Sequence, residues 1–167
     1  MVRSPRQSAR APPLFGLCAP SIALALGLRQ SETQGLVRGV LLTRVIRVKP
    51  GVAAPFVIVD AAMNDLIRPA MYDAHHDILP VRERAPGTEP APVDVVGPVC
   101  ETGDTFARGV QLPPLDEGEL VAFRSAGAYG AVMASEYNSR PLVPEVLVAG
   151  DRFAVIRPRP SIDEMLG

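Results

Sequence analysis

Val93-Asp94-Val95-Val96-Gly97-Pro98-Val99-Cys100-Glu101-Thr102-Gly103-Asp104 is the stretch on which the reading of this chain turns. Val93, Val95, Val96 and Val99 form a short branched apolar run, which predicts a buried strand. It closes on a thiol, two carboxylates and a glycine within five residues. A strand ending in Cys100-Glu101 presents a proton donor and an anion beyond the sheet edge. Gly103-Asp104 predicts a turn whose aspartate bonds nearby backbone N–H groups.

Outward from this run the chain reads as further short strands. Eighteen prolines and fourteen glycines argue against long helices and for strands joined by turns. Strands are predicted at 40–48, 55–60, 78–81, 93–99, 119–125, 129–136, 145–148 and 153–156. Lys49-Pro50-Gly51 and the proline-rich loop 86–92 act as breaks. Asn64–Ile67 predicts a helical turn before Pro69, and Ser161 predicts the cap of a final turn through Asp163-Glu164. Several short strands at this spacing predict a mostly β fold, an antiparallel barrel or sandwich. No internal repeat is visible.

The 167 residues, 47% of them apolar, suffice for one domain with a core. A net charge of −1 gives no reason to expect a nucleic-acid partner or an anionic membrane. Cys18 and Cys100 lie in segments of different character, which predicts free thiols and a cytoplasmic location. Sixteen of the seventeen basic residues are arginine, a bias read as genomic composition.

Residues 1–38 differ from the rest. Arg3, Arg6 and Arg10 precede an apolar run, 14–28, in the outline of a secretory signal. The run is short for a membrane span, and no small-residue cleavage site follows. Gly16-Leu17 before Cys18 also fits a lipoprotein signal poorly. The division expected is therefore a leader, 1–38, unstructured or short-helical and read from a wrong frame or misplaced start, joined to a genuine domain, 39–167.

Several residues could carry chemistry. A free thiol titrates at about 8.5, so Cys100 beside Glu101 suits a proton donor; a buried structural thiol is the alternative. Arg68 and Tyr72 share one face if their turn is helical, and Arg presents a planar fork matched to a carboxylate. An arginine stacked on the tyrosine ring is the other possibility. Tyr129, among Gly127, Ala128, Gly130 and Ala131, leaves backbone open to a ligand, or is a core tyrosine at a glycine-kinked strand. His75-His76 in a strand point to opposite faces, so no metal site is expected. Tyr137-Asn138 is given a structural part.

The spaced elements Arg68-Pro69-Ala70-Met71-Tyr72, Cys100-Glu101-Thr102-Gly103-Asp104 and Gly127-Ala128-Tyr129-Gly130 resemble the C-terminal domain of diaminopimelate decarboxylases. These are fold-type III enzymes that use pyridoxal 5'-phosphate to convert meso-diaminopimelate to L-lysine and CO2. The resemblance covers about Gly39–Leu166. It implies a β domain working with a β/α barrel in a homodimer, each subunit completing the other's site. It implies Cys100 as proton donor to the carbanion, Glu101 on the distal amino group, and Arg68 and Tyr72 on the distal carboxylate. Tyr129 would touch both the cofactor phosphate and the substrate. Glu101, where related decarboxylases carry Asp, favours diaminopimelate; Thr102 and His75 depart from the usual pattern. The one lysine, Lys49, sits in a turn, and no cofactor-anchoring lysine or barrel is visible. The chain by itself is therefore expected to be inactive. The alternatives are a stand-alone β domain that binds or regulates a partner decarboxylase, and a part of a related basic amino-acid or carboxynorspermidine decarboxylase.

Overall fold

A computed structural model describes residues 23–27, 39–127 and 129–167. Ala23–Gly27 forms β1, a strand within the span expected to be unstructured or short-helical. The rest of 1–38, with Cys18, lies outside the described residues.

Gly39–Lys49 forms β2, the longest strand, and organises the sheet. Leu41, Thr43 and Val45 alternate inward and are 1% exposed or less. After Val45 the register against β3 (Phe56–Val59) shifts by one residue, leaving Ile46 and Arg47 both exposed. This bulge returns Val48 to the core. The first half of β2 lies between β1 and β7 (Leu120–Phe123), and the second half pairs with β3.

The long crossover from β3 carries α1 (Arg68–Tyr72) and β4 (Ile78–Pro80) before β5 (Ala91–Val96). β5 then turns into β6 (Thr105–Leu112). The chain ends with β8 (Glu145–Ala149), β9 (Arg152–Arg157) and α2 (Ile162–Leu166), whose Ser161 makes the expected capping box with Glu164. The sheet runs β6-β5-β3-β2-β1-β8-β9, with β7 on the other edge of β2 and β4 beside it. β3 with β5 and β1 with β8 are parallel; the other pairings are antiparallel. The result is the expected mostly β, barrel-like fold.

The core collects inward residues of β2, β3, β5, β6 and β7. Phe106 and Phe123 meet at its centre, ring centroids 4.7 Å apart and tilted by 50°. Buried Thr43 is fully engaged: its hydroxyl donates to Asp60 Oδ1 at 2.6 Å and accepts from the Ala61 N–H at 2.9 Å.

Three further elements differ from expectation. β6 is not visible in the sequence pattern, because Arg108 and Gly109 interrupt its alternation. Gly109 has φ +60°, and its N–H donates to Asp94 Oδ1 where the β5 register shifts. β5 stops at Val96 rather than running to Val99, so Cys100 sits in a turn beyond the strand. The strand expected over 129–136 is replaced by a turn and a 3-10 helix, Ala131–Met133. At Gly130 the chain folds onto the Ala126 carbonyl so closely that a Cβ would overlap it.

Candidate functional site

The site is built on the segment leaving β3. Ala61 and Ala62 are fully buried, and small side chains let the backbone pass close beneath the sheet end. Asp65 closes this corner, its Oδ2 accepting from the Ala62 N–H at 2.8 Å and lying 3.6 Å from Arg140 Nη2. Burial pushes the Asp65 carboxyl above the ordinary carboxylate range, against the opposing pull of the Ala62 N–H and of Arg140 and Arg159. Burial in turn lowers Arg159, against the attraction of Asp65.

α1 follows directly. Pro69 occupies its first turn, where its missing N–H costs nothing. Asp73, in the left-handed region at φ 50°, ends it. The helix aims half-buried Arg68 at the Tyr129 ring, 5.6 Å from guanidinium carbon to ring centre. The arginine therefore lies against Tyr129 and not against Tyr72, which stands exposed at the helix end.

The Cys100–Glu101 turn packs beside this corner. Asp104, 2% exposed, accepts from the Val99 N–H at 2.6 Å and from the Met63 N–H at 2.7 Å. This is the expected amide-bonding aspartate, with one partner 41 residues away. Gly97 leaves room for it, since a Cβ there would overlap both Asp104 carboxylate oxygens. Burial raises the Asp104 carboxyl above its ordinary range, more than its two N–H donors lower it. Cys100 is free and exposed at the tip of the turn.

Glu101 accepts a hydrogen bond from the Tyr137 hydroxyl, and that bond raises the Tyr137 phenol above its ordinary value. Both line a groove of about 470 Å³. Met63, Asn64, Ile67 and Met71 form one wall, and Met133 and Ser135 another. Asn64 ties these walls together: its Nδ2 donates to the Ser135 carbonyl at 3.1 Å, and the Ser135 N–H donates to the Asn64 carbonyl at 3.0 Å. An apolar trough with an anion at its edge suits an aliphatic chain bearing a cation.

Two residue sets therefore come together, Arg68 with Tyr129 and Glu101 with Tyr137, while Cys100 extends from the same turn as Glu101. Tyr137, read from sequence as structural, touches the candidate anion. The scarcity of tyrosine, three in the chain, is a sequence signal that could have marked it. His75 Nε2 lies 3.4 Å from Asp77, whereas buried His76 places Nδ1 2.9 Å from the Arg124 carbonyl. Among the described residues no helix is long and apolar enough to cross a membrane.

The model of the pyridoxal-dependent decarboxylase C-terminal sheet domain matches residues 38–127. The diaminopimelate decarboxylase of Zymomonas mobilis is 54% identical over 128 residues, covering 77% of this chain and 30% of that protein. That of Pseudomonas fluorescens is 52% identical over 127 residues, 76% and 30% respectively. The crystal structure of the Helicobacter pylori diaminopimelate decarboxylase complexed with L-lysine superposes with TM-score 0.70 at 43% identity, covering 78% of this chain and 31% of that one. The chain thus spans about 30% of the length of the curated relatives it matches. The β2 to β7 sheet, the Cys100–Glu101 turn beyond β5 and the family match agree, and the chain belongs to the pyridoxal-dependent decarboxylases as their C-terminal sheet domain.

Proposed function

We propose that this domain, 39–167, is the substrate-holding part of a decarboxylase acting on meso-diaminopimelate to give L-lysine and CO2. The observation that carries this reading is Glu101, its carboxylate held by Tyr137 at the edge of a methionine-lined groove beside an exposed thiol. In this reading Glu101 takes the distal ammonium, and the methionines border the aliphatic chain. Arg68 and Tyr72 take the distal carboxylate. Cys100 gives its proton to the carbon that has lost CO2, and its exposure leaves it open to a substrate presented from outside the domain.

Pyridoxal phosphate, when bound, supplies the electron sink for the breaking bond. The residues present fit part of its needs. Tyr129, exposed beside the Arg68 guanidinium, offers a phenolic donor to a phosphate oxygen. Lys49, the one lysine, is exposed at the last residue of β2 and pairs with Phe56 of β3, so no aldehyde anchor lines the groove. A barrel bearing that lysine, in a dimer whose subunits complete each other's sites, is the partner this reading requires. The chain alone is expected to release no CO2.

The test replaces the matching part of the Zymomonas mobilis relative with residues 39–167. The chimera is expected to release CO2 from meso-diaminopimelate and to lose at least a hundredfold in kcat on Cys100→Ala. A folded chimera that is inactive, or indifferent to that substitution, overturns the reading.

A further inference from the structure

All walls of the groove are tied to one short segment, residues 62–65. Asn64 holds Ser135 through two hydrogen bonds, and Asp65 closes the segment on itself through the Ala62 N–H. The Cys100–Glu101 turn is the third part, and its bonds are mostly its own. Gly97 N–H to the Asp104 carbonyl, Glu101 N–H to the Val99 carbonyl and Asp104 N–H to the Glu101 carbonyl all stay within it. Among the described residues, two hydrogen bonds leave the turn for distant chain. One is from the Met63 N–H to the Asp104 carboxylate, the other from the Tyr137 hydroxyl to Glu101.

We propose that Asp104 is a positioning residue. Its carboxylate clamps the turn to Met63 and thereby sets where Glu101 meets Tyr137. Its purpose rests on the decarboxylase reading above; its geometry does not. Each oxygen serves one side of the joint, Oδ2 on Val99 and Oδ1 on Met63. An aspartate that only shapes a turn needs no partner beyond its own neighbouring amides. This one is 2% exposed, and burying a carboxylate is unfavourable unless its bonds hold something. Gly97 is the matching concession, for any side chain there would occupy the carboxylate's space. Without the clamp, the exposed Glu101–Tyr137 bond is the turn's remaining hydrogen bond to distant chain among the described residues.

The test uses the full chain with Tyr72→Phe and Tyr129→Phe, so that Tyr137 is its one tyrosine. Ultraviolet titration then reports on the Glu101 contact. Tyr137 is expected to ionise above the ordinary value of about 10 and to fall back to it in Glu101→Gln. Asp104→Asn is expected to give the same fall while cooperative thermal unfolding persists. Circular dichroism at each pH of the titration shows the variant still folded at the midpoint, so that the fall reports the Glu101 contact and not unfolding in alkali. A folded Asp104→Asn chain that keeps the raised midpoint overturns the proposal, as does a Glu101→Gln chain in which Tyr137 does not move.

A second measurement needs no substitution. The Val99 and Met63 amide resonances of the unaltered chain should shift together through one acid titration, because one carboxylate binds both. Separate midpoints, or no movement, overturn the proposal. Neither readout involves decarboxylation. An inactive chimera with both readouts intact removes the decarboxylase reading alone; failure of the readouts beside an active chimera removes the clamp alone.

Discussion

The Arg68 guanidinium carbon lies 5.6 Å from the centre of the Tyr129 ring, joining the first residue of α1 to the turn that follows β7. Tyr129 is 59% exposed, so the contact is worth about 0.5–1 kcal/mol. Tyr129→Ala is therefore expected to lower the unfolding free energy by no more than about 1 kcal/mol. A larger loss in denaturant titration would make Tyr129 a core residue instead.

Arg68 itself should matter to binding. In the chimera, Arg68→Ala is expected to raise KM for meso-diaminopimelate by about 10- to 100-fold, the value of one charge-assisted contact of about 1.5–3 kcal/mol. An unchanged KM would remove Arg68 from the carboxylate-holding role.

The Arg84–Glu119 pair predicts a pH dependence. Arg84 donates to both Glu119 oxygens, at 2.9 and 2.5 Å, and this holds the Glu119 carboxyl below its ordinary range. A lowered carboxyl stabilises the fold above its unfolded value, about 4.3, and that stability is lost as pH falls through the folded value. Glu119→Gln is expected to cost about 1.5–3 kcal/mol at neutral pH and almost nothing in strong acid. Asp65 and Asp104 act in the opposite sense. Their raised values give stability that is full below about 3.9 and lost as pH rises through the folded values. Unfolding curves of the variant across the acid range decide this; a pH-independent cost would show that the pair does not titrate with folding.

Phe123 is fully buried against Phe106. Phe123→Ala should cost about 3–5 kcal/mol in chemical denaturation, the range for an aromatic removed from a packed core. A cost under about 1 kcal/mol would mean that the β2, β6 and β7 faces do not pack as described.

Cys100 offers a direct check of exposure. In a Cys18→Ser chain, iodoacetamide should alkylate Cys100 without denaturant and leave the melting temperature nearly unchanged. A thiol that reacts only after unfolding would be buried, the alternative its sequence left open.

Much of this was legible because the governing physics is local. Branched residues marked β2, β3, β7, β8 and β9, and Ser161 with Glu164 marked the start of α2. The missed elements answer to specific backbone contacts that residue pattern does not show. Arg108-Gly109 is tolerated inside β6 because Asp94 of the neighbouring strand takes the Gly109 N–H. Gly130 turns because the Ala126 carbonyl lies where a side chain would go. At the site, Glu101 and Arg68 were readable as chemistry, but their neighbours were not. Tyr137 reaches Glu101 across 36 residues and Met63 reaches Asp104 across 41, separations that no spacing rule spans.

The bulge after Val45 has a consequence for how this domain can change in length. Ile46 is the extra residue, sharing the outward side with Arg47 between inward Val45 and Val48. Its removal would leave the inward–outward order of side chains intact while straightening the corner at which β2 passes from β7 and β1 to β3. The end of β3, and with it Asp60 through Leu66, would be re-aimed. The exposed loop 85–90 can gain or lose residues with little effect on the groove, whereas one residue at the β2 corner shifts its floor. Drift in length is thus open at the rim of this domain and closed at its bend.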